Sequence, residues 1–82
     1  MDYKIIAIKI DGRTVHAAEV QSLLTKFGCM IKVRLGLHDL PEGGCSTSGL
    51  IILEVAESDL VIGEFIEQLN ALDQVTAKFL SL

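Results

Sequence analysis

Hydrophobic and polar residues change their spacing several times along the chain, and each change predicts the boundary of an element. Residues 3–10 (YKIIAIKI) are rich in β-branched side chains and end at the turn-forming Asp11-Gly12-Arg13, so we predict a first strand there. A helix is predicted over residues 15–27, with Thr14 as its N-cap and Gly28 as a left-handed C-cap. The apolar stripe of this helix consists of Ala17, Val20, Leu23, Leu24 and Phe27.

From residue 29 onward the period changes to two, which predicts a half-buried second strand. One face of this strand is apolar and the other is mostly polar. The apolar face consists of Cys29, Ile31, Val33, Leu35 and Leu37, and the opposite face of Met30, Lys32, Arg34 and His38. A polar, glycine-rich turn region leads to a third strand over residues 49–55 (GLIILEV), so that the second and third strands form a hairpin.

A second helix and a fourth strand complete the pattern. Ser58 can cap the helix, Asp59 follows at its positive end, and Gly63 is a weak position within it. The stripe of this helix is Ile62, Phe65, Ile66, Leu69 and Leu72. Residues 74–82 alternate again and predict the last strand. The order βαββαβ predicts one α+β domain over residues 1–82, a ferredoxin-like sandwich with a four-stranded antiparallel sheet and two helices on one face.

Such an arrangement leaves the second face of the sheet bare. With the alternate residues of strand three facing the helices, the hairpin is expected to turn these residues outward: Leu50, Ile52, Glu54, Lys32 and Arg34. Strand one adds either Ile5 and Ala7 or Ile6, Ile8 and Ile10, and strand four either Leu80 and Leu82 or Val75 and Phe79. An apolar patch of this size predicts a homo-oligomer, a dimer or tetramer, formed through the sheet face or through the edge of strand two or four.

Composition supports this expectation and narrows the partners. Half of the 82 residues (50%) are hydrophobic, more than a core of this size usually conceals. The formal net charge of −4 argues against nucleic acid as a direct partner. No apolar run reaches the roughly 18 residues of a membrane span, and the first residues do not resemble a signal peptide, so we expect a cytoplasmic protein without a membrane partner. Reduced thiols at Cys29 and Cys45 fit that compartment.

The candidate metal ligands are His38, Cys45 and His16. In a continuous antiparallel register about Pro41-Glu42, His38 and Cys45 face each other with Cβ atoms about 5 Å apart, which suits nickel, zinc or copper. His16, an acidic residue of the turn or a second subunit could supply a further ligand. The alternative is that His38 and Cys45 are ordinary surface residues and that His16 is a partly buried histidine bonded to a backbone carbonyl.

The candidate ligand-binding residues are Asp11, Gly12, Arg13 and Thr14, which lead into the first helix. Free amides and the positive end of the helix dipole favour an anion there, and Arg13 could add a guanidinium; the alternative is an ordinary turn with Arg13 in solvent. Residues 44–49 lack the lysine of a phosphate-binding loop and the spacing of a nucleophile elbow, and Cys45 has His38 as its one candidate base. We therefore expect no enzymatic activity.

Two segments resemble a known family. Residues 14–39 (TVHAAEVQSLLTKFGCMIKVRLGLHD) resemble an ACT domain, whose first helix likewise ends in an apolar residue, a glycine and the opening of a strand. The pattern GLIILEV, a helix and LNALDQVTAKFLSL is similar to the small ACT-like iron-only hydrogenase system regulators, which are related to the regulatory domain of the nickel-responsive repressor. The order of elements extends the resemblance over nearly all of the chain.

The resemblance implies a ferredoxin-like module that forms dimers or tetramers and responds to a small-molecule effector or a metal. The repressor's ribbon-helix-helix segment has no counterpart in these 82 residues, so a transcriptional role would run through a partner protein. Asp11-Gly12-Arg13-Thr14 stands where ACT domains carry a proline-glycine pair, and His38 and Cys45 match only in kind the repressor's hairpin ligands. We predict an oligomeric, ligand-sensing regulatory module; the alternative is a metal sensor or metal-binding protein.

Overall fold

The computed structural model describes residues 2–11, 15–38 and 49–82, which form one sheet and two main helices. The strands are β1 (Lys4–Ile10), β2 (Ile31–His38), β3 (Gly49–Val55) and β4 (Val75–Ser81). The helices are α1 (Ala17–Lys26) and α2 (Asp59–Asn70), with a short 3-10 helix, Gly28–Met30, before β2. The strands pair antiparallel in the order β2-β3-β1-β4, which confirms the predicted ferredoxin-like fold.

The hydrophobic core lies between the helices and one face of the sheet. Its members are Ile6, Ile8, Val20, Leu24, Met30, Ile51, Leu53, Val55, Ile62, Phe65, Leu69, Val75 and Ala77. Phe65 is fully buried, and its ring centroid lies 4.7 Å from that of Phe27, which joins α2 to the end of α1. Because Ile6, Ile8 and Val75 face the helices, the alternation of the strands turns Ile5, Ala7 and Leu80 to the opposite face. This determines which residues of strands one and four face outward, a choice that the sequence left open.

Helix α1 differs from its prediction at both ends. It begins at Ala17 with His16 at the N-cap position, so Thr14 is not its N-cap. Val15 and Ala17 are exposed, so no apolar contact extends the helix toward residue 15. At the other end, the chain passes through the 3-10 helix instead of a left-handed glycine cap, and this turn buries Met30 in the core. Cys29 consequently lies outside β2 as an exposed free thiol.

Helix α2 confirms its predicted cap and stripe. The Ser58 hydroxyl accepts a hydrogen bond from the Val61 N–H at 3.4 Å, and the Asp59 carboxylate lies 3.1 Å from Lys4 Nζ at the start of β1. Gly63 lies within the helix, as predicted, and is exposed. Gln74, in the turn before β4, has a φ of 66°, a left-handed conformation that a glutamine adopts at a cost. In the described residues neither helix is long and apolar enough to cross a membrane.

Candidate functional site: the open face of the sheet

The face of the sheet that points away from α1 and α2 is called the open face here. The register of the strands assigns its residues: Val33, Leu35 and Leu37 from β2, Leu50, Ile52 and Glu54 from β3, Ile5, Ala7 and Lys9 from β1, and Thr76, Lys78 and Leu80 from β4. Tyr3 and Leu82 extend it, because each donates its N–H to the other's carbonyl oxygen at 2.8 Å beyond the ends of β1 and β4. Most of these side chains are apolar, although they face away from the core.

A β-bulge near the start of β2 determines which of its side chains belong to the open face. The register shifts between Ile31, which lies opposite Val55, and Val33, which lies opposite Glu54. Lys32 is the extra residue, and its Nζ lies 3.6 Å from the Glu54 carboxylate, so its predicted outward orientation is confirmed. The bulge reverses the face on which each later residue of β2 lies. The predicted assignment of Val33, Leu35 and Leu37 to the core side is therefore wrong.

Arg34 is the second correction that follows from the bulge. It lies opposite the buried Leu53 on the helix side of the sheet, where its guanidinium donates to the side-chain oxygen of Gln21 in α1 at 3.2 Å. The prediction that Arg34 faces outward is therefore wrong. The open face gains leucines and loses a charge by this exchange, so it is more apolar than the sequence predicted.

The open face has an apolar band and two charged corners. The band runs diagonally from the His38 end of β2 to the Ser81 end of β4, and consists of Leu37, Leu35, Leu50, Ile52, Ala7, Ile5, Leu80, Tyr3 and Leu82. On one side of the band lie Lys32 and Glu54, with Val33 beside them. On the other side lie Lys9 and Lys78. This arrangement places Glu54 and one lysine at one corner, and two lysines at the opposite corner.

The outer strands carry features that oppose pairing with another chain. On β4, the Asn70 side chain accepts from the Ala77 N–H at 2.7 Å and donates to the Ala77 carbonyl at 3.0 Å, so that it occupies the edge in the manner of a neighbouring strand. On β2, the other edge, the bulge is accompanied by the charged residues Lys32 and Arg34. Sequence reasoning missed Asn70, because its partner lies in the next element.

The predicted ligand-binding residues fall largely outside the described ranges. Gly12, Arg13 and Thr14 are among those that the structure does not describe. Asp11 is described: it follows β1 and is half-buried, and its N–H donates to the Gln74 carbonyl at 2.9 Å. This bond places Asp11, the described member of the predicted set, beside the turn that precedes β4.

The predicted metal ligands are not brought together by the described residues. Cys45 and the His38 side chain lie outside them, and the backbone of His38 pairs with Gly49, not with position 45 as the predicted register required. The argument from facing positions is therefore wrong, while ligation by these residues stays a prediction. His16 is half-buried at the start of α1, with its Nδ1 3.8 Å from the Glu19 carboxylate. Within the ranges described, no cluster of three His, Cys, Asp or Glu side chains could hold a metal ion.

Comparisons with known proteins agree on the fold. No family model and no curated protein matches the sequence. Among solved structures, the uncharacterized protein TM1266 from Thermotoga maritima is 23% identical, with a TM-score of 0.83, and the match covers 100% of this chain and 99% of that one. The similarity therefore extends over the full length of both chains.

Two further structures are similar at lower scores. CPII, a nitrogen regulatory PII-like protein from Thiomonas intermedia K12 solved with ADP, AMP and bicarbonate, is 19% identical, with a TM-score of 0.57 over 100% of this chain and 93% of that one. A formyltetrahydrofolate deformylase from Pseudomonas putida KT2440 is 13% identical with the same TM-score, but the match covers 94% of this chain and 28% of that one. The chain thus shares its fold with a regulatory protein and with one part of an enzyme.

Proposed function

We propose that this chain is a non-enzymatic regulatory module that senses a small molecule and assembles with copies of itself through the open face. The observation that carries the proposal is the apolar band on the side of the sheet away from the helices. Contiguous apolar surface of this kind commonly marks an interaction site. The bonds between Asn70 and Ala77 and the bulge in β2 favour the face of the sheet over its edges.

The exposed apolar area of the band is close to that of an interface of standard size. Leu35 and Leu80 leave 51% and 54% of their surface exposed, and Tyr3, Leu37 and Leu82 are exposed to a similar or greater extent. The band amounts to roughly 500–600 Å² for each subunit, which approaches the roughly 800 Å² that a partner contributes to an interface of standard size. Association costs roughly 4–15 kcal/mol in lost translational and rotational freedom, besides the ordering of side chains, so the packing of the band and not its area alone sets the affinity.

The sensing part of the proposal is supported by the structural similarity to CPII, which was solved with ADP, AMP and bicarbonate. All three are anions, and Asp11, Gly12, Arg13 and Thr14 are the proposed contact residues because they precede the N-terminus of α1. The resemblance to the iron-only hydrogenase system regulators refines the proposal: the response would be passed to a partner protein.

Self-association is tested by a pair of matched substitutions. Leu35→Gln introduces a polar group into the band, whereas Leu60→Gln makes the same change at an α2 residue that is 78% exposed and lies away from the open face. Sedimentation velocity over a concentration series should show an oligomer for the unmodified protein and for Leu60→Gln. Leu35→Gln should weaken association by about tenfold or more. An unmodified protein that stays a single subunit at high concentration refutes the proposal.

Ligand sensing is tested separately by titrating ADP, AMP and bicarbonate one at a time in a calorimeter. Arg13→Ala should lower the affinity for whichever anion binds, because it removes the guanidinium from the proposed site. Arg34→Ala is the matched control, since this arginine is engaged with Gln21 on the helix side of β2 and should leave the affinity unchanged. The absence of binding by all three compounds would exclude this ligand class and leave self-association intact.

A further inference from the structure

We infer that two copies of the chain pack open face to open face about a two-fold axis that runs along the apolar band, so that Lys78 of each copy lies opposite Glu54 of the other. The inference rests on the proposed self-association and specifies its geometry. It follows from the positions that the strand register assigns to the charged and apolar residues of the open face.

Residues that lie opposite one another on neighbouring strands form rows across the sheet, and these rows locate the charged groups relative to the band. Glu54 shares a row with Ile5 and Leu80, on the β2 side of the band. Lys78 lies opposite Ala7 in the next row, on the β4 side. With strands about 4.8 Å apart and alternate residues about 6.8 Å apart along a strand, the two positions lie at similar distances from the middle of the band, on opposite sides of it.

Two orientations of a two-fold axis superpose the band of one copy on the band of the other. If the axis runs across the band, the corner of Lys9 and Lys78 in one copy meets the same corner of the other copy, so that lysines face lysines. An axis along the band exchanges the corners, so that this basic corner of one copy covers Lys32 and Glu54 of the other. Both orientations cover the same apolar residues, and the charges therefore decide between them.

The surroundings of Glu54 leave its carboxylate accessible to a second cation. Its side chain is 23% exposed and lies 3.6 Å from Lys32 Nζ, while the Lys32 side chain is 59% exposed and extends toward solvent. A Lys78 ammonium arriving from the facing copy gives this carboxylate a second cationic neighbour in a site that the dimer shields from water. The symmetric contact forms on the other side of the band, so each dimer contains the pair twice.

Two charge reversals test this pairing when the variants are mixed. Glu54→Lys alone places lysine opposite lysine twice in its homodimer, and Lys78→Glu alone places glutamate opposite glutamate twice. Each should weaken the homodimer by about tenfold or more. A heterodimer of the two variants has an opposite charge pair at both contacts, so mixing should restore association. With one variant labelled with ¹⁵N, native mass spectrometry should find well over the roughly half heterodimer that random pairing gives.

The control repeats the mixture with Lys9→Glu in place of Lys78→Glu. Lys9 lies on the same basic side, but the proposed axis places it opposite the outer edge of β2 and not opposite Glu54. This mixture should give heterodimer near the random fraction. If Glu54→Lys does not fold, as judged by circular dichroism, adding Glu54→Gln to Lys78→Glu removes the like-charge contact and should strengthen association relative to Lys78→Glu alone.

The outcomes separate this geometry from the proposed function. Suppose that the unmodified protein associates, but that mixing Glu54→Lys with Lys78→Glu gives only the random fraction of heterodimer. This result overturns the two-fold arrangement, while association through the open face stands. A preference for heterodimer with Lys9→Glu in place of Lys78→Glu also overturns it. Unmodified protein that never associates removes both proposals. Selective heterodimer formation by the first mixture supports the axis along the band.

Discussion

Replacing Asn70 with alanine should destabilise the protein, although the side chain lies at the end of a helix. The Asn70 amide makes two hydrogen bonds to the backbone of Ala77, at 2.7 Å and 3.0 Å, in a partly buried position. Each such bond contributes about 0.5–1.5 kcal/mol, and alanine regains a few tenths of a kcal/mol through its higher helix propensity. The expected loss is about 1–2 kcal/mol, which lowers the Tm of a domain of this size by roughly 5–15 °C.

The matched control is Gln68→Ala on the same helix. The Gln68 amide oxygen accepts one exposed hydrogen bond from Lys26 Nζ at 3.4 Å, so its removal should change stability by less than about 0.5 kcal/mol. Urea unfolding followed by circular dichroism, at one fixed protein concentration, measures both variants. Hydrogen exchange adds a local readout, because the Ala77 amide donates to Asn70 and should exchange faster in Asn70→Ala. Equal stability of the two variants, with Ala77 equally protected, would refute the reasoning.

Further predictions concern the backbone of α2, the turn before β4 and the bulge. Gly63→Ala should stabilise the protein by about 1 kcal/mol in urea unfolding, because the position is helical and a Cβ there meets nothing within 4 Å. Gln74→Gly should stabilise it by about 0.5–1 kcal/mol in the same assay, because glycine relieves the φ of 66°. Deletion of Lys32 should preserve folding and self-association in sedimentation velocity, because it removes the extra residue of the bulge and leaves Leu35 opposite Ile52 and Leu37 opposite Leu50. Loss of association in this variant would contradict the assigned bulge.

The sequence predicted the fold because its hydrophobic spacing reflects burial against a single core. Ile62, Phe65 and Leu69 recur at helical spacing and are all fully buried, and Ser58 occupies the predicted N-cap. The start of α1 was predicted less well, because it was inferred from Thr14 as a possible N-cap, whereas the helix begins at Ala17 with His16 at the N-cap position. Periodicity identifies an element reliably when its apolar residues are buried, and it does not determine the exact residue at which the element begins.

The site was less predictable because register and bulges leave no trace in the alternation of residues. The predicted hairpin set His38 opposite Cys45, and the structure sets it opposite Gly49, four positions further along. A shift by an even number of residues keeps every side chain on its face, so the alternating pattern fits both registers equally well. The pairing of Leu37 with Leu50 belongs to the observed register, and the turn residues around Pro41 did not reveal it.

The bulge at Lys32 connects the fold to its proposed assembly. Without the bulge, regular alternation would turn Leu35 and Leu37 toward the helices. The helices cover that side of β2 poorly, since Arg34 and Gly36, which lie there, are exposed. The leucines would then remain in contact with water, while charged residues divided the open face. The extra residue instead places them beside Ile52 and completes the apolar band. Leucines that no helix covers would be stabilised by a second copy, so the bulge makes this edge strand part of the proposed interface.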